Sequence, residues 1–83
     1  MNQVTDDAIA HAIEDLAARR GPDKSICPTE AARALAEDWR PLLGPVRRVA
    51  AALARAGRID ILRHGKPIDP GAMRGVVRLR VRS

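Results

Sequence analysis

Three arginines lie in the stretch GPVRRVAAALAR, residues 44–55, at positions 47, 48 and 55. A guanidinium is always charged, and its planar fork of N–H donors matches a phosphate or the O6 and N7 atoms of guanine. Small residues between long basic ones let a helix lie deep in the major groove of DNA. The stretch therefore predicts a nucleic-acid-binding helix, with Arg48 and Arg55 as the candidates for base contacts.

The apolar residues of the same stretch predict which way the helix faces. At about 100° per residue, Val46, Val49 and Leu53 fall on one face, which we expect to be buried. Arg48 and Arg55 then lie on the opposite side, and the alanines at positions 51 and 52 lie between them. No carboxylate lies between Arg40 and Gly57, whereas a merely solvated helix usually mixes the signs of its charges.

The charge of the chain is divided unevenly along its length. Residues 1–39 carry four Lys or Arg against eight Asp or Glu, a net charge of −4. Residues 40–83 carry eleven against two, a net charge of +9. Such polarisation is typical of a chain with one face toward a polyanion. The alternatives are an acidic protein partner or an ordinary solvated basic surface.

The periodicity of apolar residues predicts a single domain over residues 1–83. Helices are expected at about 5–20, 28–37 and 45–56, because the apolar positions recur at three to four residues and capping signals flank them. One irregular turn is allowed before the third helix. After Gly57 the apolar period changes to two, which predicts strands at about 58–63 and 76–82. The intervening residues 64–75, rich in Gly and Pro, are predicted to be a loop that is too long for a tight turn.

This order of elements is the plan of the winged helix-turn-helix, an α+β fold that is mainly α, with three helices and a C-terminal two-stranded β-hairpin as the wing. In that plan the third helix is the recognition helix, and the loop lies along the DNA backbone or in the minor groove. We therefore predict binding of double-stranded DNA by a small regulator or accessory factor. The alternative is a protein-interaction winged helix with an acidic partner. The predicted DNA-binding residues are Arg40, Arg47, Arg48, Arg55, Arg63, Lys66 and Arg74.

Other chemistries find little support in the sequence. The single Cys27 excludes an intramolecular disulfide, and His11 has no second histidine at ligand spacing, so no metal or cofactor site is predicted. No pair of nucleophile and base is found, and we expect no enzyme activity. Trp39 is expected to cover the core. The absence of a signal peptide or an apolar run long enough for a bilayer predicts a cytoplasmic protein; the oligomeric state stays open.

The sequence also resembles a family of small bacterial proteins of unknown function. The resemblance covers roughly residues 5–82 and implies a winged-helix fold, without implying an activity. The residues that carry it are Cys27, Pro28, Thr29, Glu30, Ala32, Arg33, Trp39, Arg40, Val46, Arg47, Leu53, Gly65, Lys66, Pro67, Gly75 and Arg78.

Overall fold

The computed structural model describes residues 4–82 of the chain and begins with helix α1, Asp6–Arg20. The Thr5 hydroxyl accepts a hydrogen bond from the Ala8 backbone N–H at 3.1 Å, which confirms Thr5 as the N-cap. Ile9, Ile13 and Ala17 recur at four-residue spacing, and all three are buried.

The second and third helices differ from the predicted bounds at their ends. Helix α2, Pro28–Leu35, ends two residues before the predicted 37, because Ala36 adopts an extended backbone and the chain turns there. The irregular turn allowed before the third helix is a 3₁₀ turn over Arg40–Leu42. It continues directly into helix α3, Leu43–Arg55, so this helix begins two residues earlier and ends one residue earlier than expected.

The sheet has three strands where the sequence predicts two. Strands β1, Ile59–Arg63, and β3, Arg78–Val81, pair antiparallel, and β2, Lys66–Pro67, pairs with the other edge of β1. The prediction that residues 64–75 hold no tight turn is therefore wrong. His64 and Gly65 both have positive φ, at 52° and 79°. Two such residues are what a two-residue hairpin turn with the right twist requires.

Two further contacts tie the connecting segments to the body of the fold. Ile26, in the link between α1 and α2, is fully buried and exchanges two backbone hydrogen bonds of 2.7 Å with Leu79 of β3. Within the 64–75 segment, Ile68 and Met73 pack against the core, and a second 3₁₀ turn, Pro70–Ala72, packs on α3. The segment is thus held against the domain rather than extended as a free loop.

The architecture is α+β and mainly helical, with three helices and one small antiparallel sheet, and it is compatible with the winged-helix plan. One core, formed by all three helices and the sheet, supports the outer faces. Its largest fully buried side chains are Ile9, Ile13, Val46, Ile26, Ile59, Ile61, Val77 and Leu79.

Candidate nucleic-acid interface

The exposed side of α3 is a narrow stripe of alternating small and basic residues. We call Gly44, Arg48, Ala52 and Arg55 the α3 stripe; each of them is exposed. The opposite side is formed by Val46, Val49 and Leu53, which are buried, so the predicted rotation of the helix is confirmed. The stripe carries two positive charges about 10 Å apart along the helix axis, and the only side chain of the stripe between them is the small one of Ala52.

Ala51 departs from the predicted arrangement, because it is buried and only 8% exposed. The 3₁₀ turn at Pro70–Ala72 packs on α3. On the same side of the helix, the Arg47 side chain donates a hydrogen bond to the Gly75 carbonyl at 3.0 Å. The 64–75 segment therefore covers the flank of α3 that bears Arg47 and Ala51, and the solvent-exposed side of the helix is narrower than the sequence predicts.

Arg48 is exposed as predicted, but it has a partner within the chain. Its Nη1 and Nη2 atoms lie 2.8 and 3.0 Å from the two carboxylate oxygens of Asp6, in a bidentate ion pair between α3 and the start of α1. The hydrogen bonds from Arg48 lower the pKa of Asp6, and the same bonds raise the pKa of Arg48. Both groups therefore remain charged at neutral pH. Three of the five N–H donors of Arg48 remain for another acceptor.

Three of the predicted DNA-binding residues, Arg47, Arg63 and Arg74, meet at one corner of the molecule. Arg63 of β1 donates to the carbonyls of Ala72 and Arg74 at 2.9 and 2.8 Å, and Arg47 of α3 donates to the adjacent carbonyl of Gly75. The two guanidiniums thus hold the end of the 64–75 segment from both sides. Neither forms an ion pair within residues 4–82, so this corner of the molecule combines two arginine side chains with the ordered backbone of a third arginine, Arg74.

The remaining predicted residues are exposed and have no carboxylate partner within residues 4–82. Arg55 lies at the C-terminal end of α3, and Lys66 follows the hairpin turn. Arg74 lies in the part of the 64–75 segment whose carbonyls accept hydrogen bonds from Arg63. Arg40 begins the 3₁₀ turn before α3, and its Cζ lies 4.7 Å from the centre of the Trp39 ring. The structure therefore distributes the candidates around α3 at its two ends, along its exposed side and on the adjacent segment.

The acidic residues of α2 and the following turn have divided roles. Glu30 accepts a hydrogen bond from the Cys27 backbone N–H at 3.2 Å and forms an ion pair with Arg20 at 3.3 Å. Its charge is therefore engaged inside the domain. Glu37 and Asp38 are exposed in the turn, where they would oppose an approaching phosphate.

Sequence reasoning missed two residues of this surface, Asp6 and Arg33. In the sequence, Asp6 is explained by the favourable interaction of an acidic residue with the N-terminus of α1. No sequence pattern indicates that it pairs with Arg48, which lies 42 positions later. The Arg33 Cζ lies 5.8 Å from the centre of the Trp39 ring, on which Arg40 also stacks. Trp39 itself is half-buried and packs against the core, as expected of a residue that covers it.

Several other chemistries are not seen over residues 4–82. No group of three or more metal-ligating side chains comes together in this range, and Cys27 is a half-buried free thiol. His11 is exposed. No helix of the described part is long and apolar enough to cross a membrane.

The fold and this surface define a small mainly helical α+β domain with a basic helix on its outside. The chain belongs to the family described as protein of unknown function (DUF3253), whose model matches residues 6–82. The match confirms the expected membership in a family of unknown function and covers every secondary-structure element. No curated protein matches the chain significantly.

Proposed function

We propose that the protein binds double-stranded DNA as a winged helix-turn-helix module, with α3 as the recognition helix. The observation that carries the proposal is the α3 stripe. Two exposed arginines lie two turns apart on a helix without a single carboxylate, and the residues between them on that side are small. A helix of this shape fits a major groove about 12 Å wide, and its guanidiniums reach guanine edges or flanking phosphates.

The positions around the stripe support the same proposal. The corner formed by Arg47, Arg63 and Arg74 lies beside α3, and its backbone is fixed by three hydrogen bonds to arginine side chains. A positive, ordered segment next to the recognition helix is suited to positioning contacts with the phosphate backbone. Lys66, after the hairpin turn, adds one more charge on the 64–75 segment.

In this function, Asp6 competes with the DNA phosphates for the N–H donors of Arg48. A phosphate that approaches Arg48 either uses the donors that Asp6 leaves free or displaces the carboxylate. In both cases the charge of Asp6 repels the phosphate, so the pair weakens binding without preventing it. We therefore propose that Arg55 is the stronger contact of the two and that Arg48 contributes fully only when Asp6 is removed or turned away.

Fluorescence anisotropy with a labelled duplex of about 20 base pairs tests the proposal. The protein should bind with a dissociation constant on the order of 10⁻⁴–10⁻⁶ M at physiological salt. Four to six phosphate contacts should give a log–log salt slope of roughly −4 to −5. Arg48→Glu combined with Arg55→Glu should abolish binding. The matched control, Arg19→Glu with Lys24→Glu, makes the same change of charge outside the interface and should retain most of the affinity.

Unlabelled generic duplex DNA separates this function from the alternative of an acidic protein partner. Competition by the unlabelled duplex should be complete, because the contacts are mainly to the backbone. Failure of any duplex to bind at low salt would contradict the proposal and would leave an acidic protein partner or an ordinary solvated basic surface as the alternatives.

A further inference from the structure

Arg33, Trp39 and Arg40 form a cluster at the turn between α2 and α3, which we call the Trp39 cluster. The two guanidinium carbons lie 5.8 and 4.7 Å from the centre of the same indole ring. Both arginines are exposed, while the indole is half-buried and anchored on the core. One aromatic ring, fixed on the core, therefore contacts two positively charged side chains at the surface.

Neither guanidinium of the cluster forms an ion pair with a carboxylate of residues 4–82. Glu37 and Asp38 lie in the same turn and weaken the attraction for an anion, but they leave the N–H donors of Arg33 and Arg40 available. A cation–π contact attracts each cation to the ring without using its N–H donors as hydrogen-bond partners of a carboxylate, so these donors can serve another acceptor. The two positive charges at this ring repel each other, and an anion that accepts hydrogen bonds from both would offset that repulsion.

The position of the cluster relative to α3 indicates the source of the anion. Arg40 begins the 3₁₀ turn that continues into α3, so the cluster lies at the N-terminal end of the helix. A helix of thirteen residues is roughly 20 Å long, which exceeds the width of about 12 Å of the major groove. With the α3 stripe in the groove, an end of the helix therefore meets the phosphates at the groove's edge.

We infer that the Trp39 cluster binds a backbone phosphate of the same DNA duplex, with Arg33 and Arg40 as the two donors and Trp39 as the platform that orients them. This inference rests on the proposed function and extends it. It adds Arg33 to the interface and gives Trp39 a role beyond covering the core. Because a phosphate contact is independent of base sequence, the cluster should strengthen binding to all duplexes alike.

The salt dependence of duplex binding measures the contribution of the cluster. Arg33→Ala with Arg40→Ala should reduce the magnitude of the log–log slope by about one, since the loss of one phosphate contact removes about 0.9. The charge-matched control, Arg19→Ala with Lys24→Ala, should leave the slope unchanged. Arg33→Lys with Arg40→Lys keeps both charges and should restore most of the slope, which a purely structural role of the arginines would not explain. Circular dichroism establishes that each variant is folded.

Trp39 fluorescence gives a second readout that needs no substitution. Since Trp39 is the chain's one tryptophan, its emission should change in the wild-type protein as duplex is added and should saturate together with the anisotropy. If the folded Arg33/Arg40 alanine variant has the same salt slope as the wild-type protein, the inference is wrong and the proposed function stands. A Trp39 emission that stays constant until the anisotropy saturates would have the same meaning. A wild-type protein that binds no duplex would overturn both.

Discussion

Arginines line both the solvent side of β3 and the exposed side of α3, and the partners they find differ between the two regions. At β3, Arg80 and Arg82 lie 3.1 and 3.6 Å from the carboxylate of Asp60, and Arg78 donates to the side chain and the carbonyl of Ser25. On α3, Arg48 has one partner, Asp6, and Arg55 has no ion pair within residues 4–82.

The difference shows that a count of arginines says little about binding. Arg78 ties β3 to the link between α1 and α2, and Arg80 and Arg82 pair with Asp60 of β1, so each of the three has an acceptor within the domain. At α3, Arg55 has no ion pair within residues 4–82 and Arg48 keeps three N–H donors beside its pair with Asp6, so both side chains can reach an external acceptor. If this difference is real, substitutions at the sheet should change stability, and substitutions on the exposed side of α3 should change DNA binding.

The largest effect is expected from substitutions on the two sides of α3. Val49→Asp places an unpaired charge in the core, because Val49 is 6% exposed, and a penalty of several kcal/mol should unfold a domain whose total stability is on the order of 5–15 kcal/mol. Ala52→Asp places the same carboxylate on the exposed stripe. It should leave the thermal unfolding transition nearly unchanged and should weaken duplex binding strongly. Similar unfolding temperatures for the two variants would show that α3 is rotated differently.

An intermediate effect on stability is expected at the sheet. Asp60→Ala leaves Arg80 and Arg82 without their common carboxylate, which is only 17% exposed. We expect a loss of about 1–2 kcal/mol in the free energy of unfolding, measured by urea denaturation. Asp15→Ala, which removes the exposed partner of Arg19, should cost less than about 0.5 kcal/mol. Duplex affinity should hardly change in either variant; a large gain after Asp60→Ala would mean that the β3 arginines also bind DNA.

A smaller effect is expected from the release of Arg48. Asp6→Asn removes the competing charge, so duplex affinity should rise several-fold and the salt slope should steepen by about one contact. Asp6→Asn should leave the helical content unchanged, because the Thr5 cap does not depend on Asp6. Unchanged affinity and slope would show that Arg48 does not contact DNA.

The smallest effect concerns the pH dependence of stability. Since Arg48 lowers the pKa of Asp6, the folded state binds a proton less readily there than the unfolded state. The stabilisation is therefore fully present above the unfolded-state pKa of an aspartate and is lost as the pH falls through the lower, folded-state pKa. Thermal unfolding should show a slightly weaker acid dependence in Asp6→Asn than in the wild-type protein. Identical acid profiles would contradict the ion pair.

The features that the sequence predicts correctly rest on local rules. The N-cap of α1 and the buried side of α3 follow from capping chemistry and from a period of 3.6, both of which act within a few residues. The sequence does not predict strand β2 because its hairpin turn consists of His64 and Gly65. Asn-Gly and Asp-Gly are the usual sequence signals for such a turn, whereas His-Gly is not.

The features that could not be predicted join residues far apart in the chain. Arg48 meets Asp6 only because α1 packs on α3, and Arg47 meets Gly75 only because the 64–75 segment folds back. An arginine side chain has several rotatable bonds, so its guanidinium can reach partners in different directions. The period of the apolar residues carries no information about which partner it contacts. The residue set for a basic surface was therefore predictable, whereas the availability of each charge was not.

A matched pair of single substitutions, Arg55→Ala and Arg82→Ala, tests most directly whether α3 rather than the sheet binds DNA. Each removes one exposed arginine, and salt-dependent anisotropy with the same duplex compares them. We expect that Arg55→Ala reduces the magnitude of the log–log slope by about one and weakens binding severalfold, while Arg82→Ala leaves both unchanged. Equal losses in the two variants, or a loss only in Arg82→Ala, would contradict it.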